Sequence, residues 1–183
     1  MLRRPLVYPA LLALLLALVF AVLAAAANVD RPKSVLDERG TLFTLSPQGV
    51  AHLRHSGVRR VFLLATMHGR SYYRLVKTGR ACYGVGRVGK SSWPGEIRCF
   101  PKRPALVDFS VFEVTRGHPL HLWRLEGMAQ DGFASIGIIG SAGRLVSRVP
   151  VTRGIYYLAT PPRVPLRRIV AYNAAGHVIK RLF

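Results

Sequence analysis

The sequence predicts a mainly β protein with a hydrophobic helix at its N-terminus. Residues 6–27 carry no charge. From residue 58 onward the chain breaks into short runs rich in Val, Ile, Tyr and Phe, separated by Gly, Pro, Asn and Asp. Half of the 183 residues are apolar and the charges are spread rather than blocked, which excludes a disordered basic tail. With 17 Gly and 12 Pro but no triplet period, a collagen-like chain is excluded as well.

Arg3 and Arg4 precede the apolar stretch from Leu6 to Ala27, which closes on small residues, Ala24 to Ala27, before Asn28. A positive start, an apolar body and an Ala-rich end make an export signal. The same stretch, at about 1.5 Å per residue, reaches roughly 33 Å and so also serves as a transmembrane anchor. Cleavage near Ala27 with secretion, and retention as a single anchor, both stay open. Either places the remaining chain outside the cytoplasm, with Arg3 and Arg4 on the inner side.

Residues 28–41 are polar and read as a linker or stalk. Residues 42–103 read as a small β-rich subdomain with one short helix. Ser46-Pro47 offers an N-cap and a first helical Pro, and Gly57 a stop, so the helix is expected over 47–56. Strands are expected over 58–66, 71–77, 81–88 and 96–100, with a turn at His68-Gly69 and a loop over 89–94. Residues 105–183 read as a second unit of seven short strands, over 107–114, 120–128, 134–139, 145–151, 155–159, 166–172 and 177–182. That spacing suits an antiparallel sandwich or barrel. Pieces of these sizes are small for independent cores, so the two units are expected to pack together.

The charge balance is 27 Lys and Arg against 8 Asp and Glu, a formal net charge of +19. A field of that sign draws any polyanion, and outside a membrane those are lipid head groups and wall polymers rather than nucleic acid. Basic and aromatic residues interleave at Arg70, Tyr72, Arg74 and Arg87. Strand alternation puts Tyr72 and Arg74 on one face, so these four form a candidate anion-binding patch. Against it stands the reading that the tyrosines fill a core while the arginines are merely hydrated.

Cys82 and Cys99 are the only cysteines. In an oxidising compartment a disulfide between them is expected, with a catalytic thiol as the alternative. His52 and His55, and likewise His118 and His121, have spacings that suit a metal, but the further ligands are scarce; hydrated surface histidines are expected and no metal or cofactor is assigned. Glu113 and Glu126 fall on adjacent strands, as a glycosidase pair does, yet Arg116 and Arg124 flank them and solvated ion pairs are expected. Gly84, Gly86 and Gly89 precede no helical pattern, so they make no nucleotide cradle. No catalytic residue is assigned.

The segments FLLATMHGRSYYRL, Cys82-Tyr-Gly-Val-Gly and Cys99, LEGMAQDGFASIGII, VPV and AYNAAGHVIK resemble a loose group of exported proteins of GC-rich actinobacteria. The half over 105–183 is similar to immunoglobulin-like domains whose strands end in an Asp/Asn-x-x-Gly hairpin, with mild departures at Phe133 and Ile136. The resemblance implies an Ig-like sandwich and an envelope location, and carries no activity. The expected function is therefore that of a non-catalytic exported or membrane-anchored envelope protein. Its basic surface would meet an anionic wall polymer, lipid head groups or a partner protein, with no small-molecule substrate. The alternative is an extracytoplasmic hydrolase or redox enzyme whose site gathers scattered His, Cys and carboxylate residues.

Overall fold

The computed structural model describes residues 34–45, 47–88, 95–113 and 119–183. The hydrophobic segment 1–27, the start of the stalk, the cap residue Ser46 and the loop over 89–94 lie outside them, as do His118 and the side chain of His52. Strands β1 (Thr41–Leu42), β2 (Val58–Met67), β3 (Arg70–Lys77), β4 (Arg80–Arg87) and β5 (Glu96–Phe100) pair in chain order as an antiparallel meander. Helix α1 (Pro47–Ser56) precedes β2 and stops at Gly57, at φ 70°. Among the described residues no helix is long and apolar enough to cross a membrane.

Alternation gives this sheet two buried faces. Val58, Val61, Tyr73, Leu75 and Cys82 point one way, onto Phe43, Leu45 and Ile97. Tyr72, Tyr83 and Val85 point the other way, onto Val107, Phe109, Met128 and Ile155 of the second half. Cys82 stands directly opposite Cys99 on the edge strand β5, and the two are joined in a disulfide.

The second half contains β6 (Leu106–Asp108), β7 (Val111–Glu113), β8 (His121–Ala129), β9 (Ser135–Gly140), β10 (Leu145–Pro150), β11 (Ile155–Leu158), β12 (Leu166–Tyr172) and β13 (Val178–Arg181). One antiparallel sheet has β8 at its centre, with β11 on one side and β6 and β7 on the other; the second runs β10-β9-β12-β13. Leu122, Leu125 and Tyr156 of the first meet Ile136, Ile138, Ile169 and Ala171 of the second in one core. The single strand expected over 107–114 is two. Between them the Asp108 carboxylate accepts hydrogen bonds from the Ser110 backbone (3.3 Å) and hydroxyl (2.6 Å), a local bend that interrupts the ladder.

The stalk also differs from expectation. Ser34, Val35 and Leu36 are buried rather than trailing in solvent. Val35 N–H donates to the Arg153 carbonyl (3.1 Å), Ser34 N–H to Asp131 Oδ1 (3.2 Å), and the Ser34 hydroxyl to the Ala129 carbonyl. Val35 and Leu36 thereby enter the same apolar cluster as Tyr72 and Phe109. Two apolar residues in a polar stretch suffice because each lands in a preformed seam. Gly154 makes the approach feasible: its φ is 75°, and a Cβ there would stand 2.2 Å from Ser34 Oγ.

The disulfide fixes an edge strand that has a neighbour on one side only. Replacing Cys82 and Cys99 together by Ser should lower the unfolding free energy by about 2–4 kcal/mol, read from the denaturant midpoint. An unchanged midpoint would show that β5 is held without the bond.

Candidate anion-binding site

The structure gives the four residues of the predicted patch different surroundings. Arg70 and Arg87 pair across β3 and β4, as do Arg74 and Tyr83. Tyr72 is fully buried, so it contributes nothing to an exposed surface. Arg70 is already engaged: its Nε donates to Glu126 Oε1 at 2.8 Å, and the Tyr72 hydroxyl donates to the same oxygen at 3.2 Å. Arg87 is exposed at the end of β4. Arg74 lines a cleft.

Glu126 corrects the expectation of a solvated strand-face ion pair. The pairing with Arg124 exists, Nε lying 2.8 Å from Oε2 though outside hydrogen-bonding direction, but the carboxylate is completely shut off from water. Glu113 is exposed and sits across from His121, so the two glutamates do not face each other. Alternation along β8 gave no warning of this, because the shielding comes from Arg70 and Tyr72, more than fifty residues earlier.

A second polar group continues the buried network. The Ser110 hydroxyl accepts from Glu126 N–H (3.3 Å) and donates to Asp108, which also accepts from the Tyr156 hydroxyl (2.9 Å). Gly127 leaves room for that phenol, since a Cβ there would lie 2.1 Å from its oxygen. Burial, reinforced by Glu126, pushes the Tyr72 hydroxyl far above the usual tyrosine range. Burial and then Asp108 do the same to Tyr156. Burial also raises the Asp108 carboxyl above its usual value, against the pull of its hydrogen bonds from Ser110 and Tyr156. Both phenols therefore stay neutral donors. The network ties β3, β6, β8 and β11 together.

The cleft that Arg74 lines holds about 400 Å³ and lies between residues 36–39 and the β3–β4 hairpin. Arg39, Arg74, Lys77, Arg80 and Arg103 stand around it with only Asp37 and Glu38 as carboxylates. Both carboxylates are taken, Asp37 by Arg103 at 2.7 Å and Glu38 by Arg153 at 3.4 Å. Arg74 Nη2 donates to the Arg39 carbonyl (2.8 Å) and its guanidinium lies 4.8 Å over the Phe62 ring, while its Nε is shielded from water and has no acceptor. The Tyr83 hydroxyl beside it is raised by burial, partly offset by Arg103 and Arg74.

A second, more open cleft of about 660 Å³ has Trp123 on its wall, 57% exposed, with the Arg163 guanidinium 6.0 Å from its ring. Among the described residues no three His, Cys, Asp or Glu side chains gather as a metal site needs. Sequence reasoning missed Arg39, Lys77, Arg80 and Arg103. Lys77 and Arg80 were legible as the residues flanking the Thr78-Gly79 turn, but Arg39 and Arg103 reach the cleft only through tertiary packing. No protein-family model, curated protein or solved structure matches the chain.

Two measurements probe the buried network. Glu126→Gln leaves Arg70 and Arg124 without their counter-charge and should cost about 3–5 kcal/mol of stability, seen in denaturant unfolding; a loss below about 1 kcal/mol would mean the pair is hydrated. For Asp108 the folded protein holds the proton more tightly than the unfolded chain. Its stabilising effect is thus complete below the usual carboxylate value near 3.8 and is lost as pH rises through the raised value. Asp108→Asn keeps the Oδ1 acceptor but does not titrate, so its stability relative to the native chain should climb as pH rises from below the usual carboxylate value through the raised one. A pH-independent difference would place Asp108 in water.

Proposed function

We propose that this is a non-catalytic, exported or membrane-anchored envelope protein of the actinobacterial group it resembles, which binds an anionic envelope component or partner protein through its basic surface. The observation that carries this reading is the fate of the carboxylates. Asp37, Glu38, Glu96 and Glu126 are each paired with arginine, and Asp108 and Asp131 are held by hydrogen bonds within the fold. Arg59, Arg60, Arg87, Arg144 and Arg167 are exposed and have no internal anion. A surface so unbalanced attracts polyanions at long range.

Both cysteines lie in the disulfide and Glu126 is committed to two arginines. This favours the binding reading over a hydrolase or redox site assembled from those residues. The proposal includes an Ig-like sandwich over 105–183. Taking β6 with β7 as A, β8 as B, β9 as C, β10 as C′, and β11 to β13 as E to G, the sheets read A-B-E and C′-C-F-G. This order supports an Ig-like arrangement in which the fourth strand of the ABED sheet has moved across to the other sheet as C′. The fold hosts many binding functions and specifies none by itself.

The test uses full-length protein in a neutral detergent and immobilised inorganic polyphosphate. Binding should fall steeply between about 50 and about 200 mM salt, linear in log salt, as counterion release requires. Absence of binding at the lower salt would remove the electrostatic reading.

A further inference from the structure

We infer that the cleft between residues 36–39 and the β3–β4 hairpin is a phosphate-binding site, with Arg39, Arg74, Lys77 and Arg80 as its cationic donors. This rests on the reading of the basic surface as an anion binder, and it locates and names the anion. The cleft is set apart from the rest of that surface by its shape and its charge. The second cleft has a single arginine, Arg163, on its wall, with the Glu113 carboxylate beside it. Here four cations converge on one concavity, and the two carboxylates present are already paired with Arg103 and Arg153.

Arg74 supplies the independent observation. Its Nη2 is fixed by the Arg39 carbonyl and its plane by Phe62, so the guanidinium is oriented before any ligand arrives. Its Nε–H remains shielded from water without an acceptor. A guanidinium already held in place loses little freedom on meeting an anion at the cleft wall.

The donors come from three directions: the segment after Leu36, strand β3, and the first residue of β4. A tetrahedral phosphate, free or esterified, offers oxygens in several directions at once and so meets more than one cation. A planar carboxylate presents its two oxygens in one plane, meets one guanidinium well and leaves the others uncompensated. Leu36 and Ala81 add apolar wall beside the Tyr83 phenol, which suits a phosphate carrying an organic substituent.

The experiment is calorimetric titration of full-length protein in a neutral detergent with inorganic phosphate, glycerophosphoglycerol and acetate at equal ionic strength. Phosphate or the diester should bind saturably and acetate should not. Arg74→Gln with Arg80→Gln should weaken the binding by about tenfold or more. The charge-matched pair Arg167→Gln with Arg181→Gln, on β12 and β13, should change it by less than about twofold. Near-UV circular dichroism checks the fold, and if Arg74→Gln disturbs it, Lys77→Gln with Arg80→Gln carries the same comparison.

A cleft-dependent preference for the diester assigns a lipid or wall-polymer head group as the source, and a preference for inorganic phosphate assigns the free ion; both support the site. Equal losses in the cleft and distal pairs would overturn it while leaving polyphosphate binding, and so the general reading, intact. Equal binding of acetate, or no saturable phosphate binding in protein that still retains salt-sensitive polyphosphate binding, would also overturn it.

Discussion

The Glu126 carboxylate is the point on which the two halves of the fold close. It comes from the central strand of one sheet and is completed by Arg70 and Tyr72 from another. A buried carboxylate without partners would cost several kcal/mol, so the halves cannot separate without exposing or stranding a charge. An apolar seam alone would tolerate sliding, because any oil-like face fits another. A single carboxylate oxygen shared by a guanidinium and a phenol fixes one register. The ring of His68 stacked on Tyr157, 5.2 Å away, lies in the same seam and keeps the turn at the end of β2 against β11.

That closure also shapes the basic cleft. Tyr72 and Arg74 share one strand face, but the second half covers only the first of them. At the edge of that cover, bordered by the buried Tyr83, the face emerges at Arg74, and residues 36–39 form the opposite wall as they leave the seam. The cleft is therefore a by-product of where the apolar contact ends. Its cations are spread over three stretches of chain that only the folded seam brings together.

Much of the fold was legible in the residues because local chemistry dominates it. Ser46-Pro47 and Gly57 bracketed α1, and alternating β-branched and aromatic runs located the strands from β2 to β5 and from β8 to β13 closely. The disulfide was expected from two cysteines in a chain read as exported. What was hidden depends on distant neighbours. Val35 and Leu36 looked like solvent-exposed linker because nothing nearby needs them. Glu126 looked hydrated because its arginine partner Arg124 is local while Arg70 is remote. The candidate patch mixed residues with different fates, since alternation tells which face a side chain takes but not where that face goes under cover.

The docking of Ser34 to Leu36 has a consequence for how the chain reaches this state. Its partners are Ala129, Asp131 and Arg153, about a hundred residues downstream. A chain made from its N-terminus presents these three residues early, yet their niche exists only after β8 and β11 are in place. Contacts of such sequence separation are entropically the dearest to close and tend to form late. The first described stretch of the protein is then the last to settle, and it seals the seam only once most of the polypeptide has been delivered.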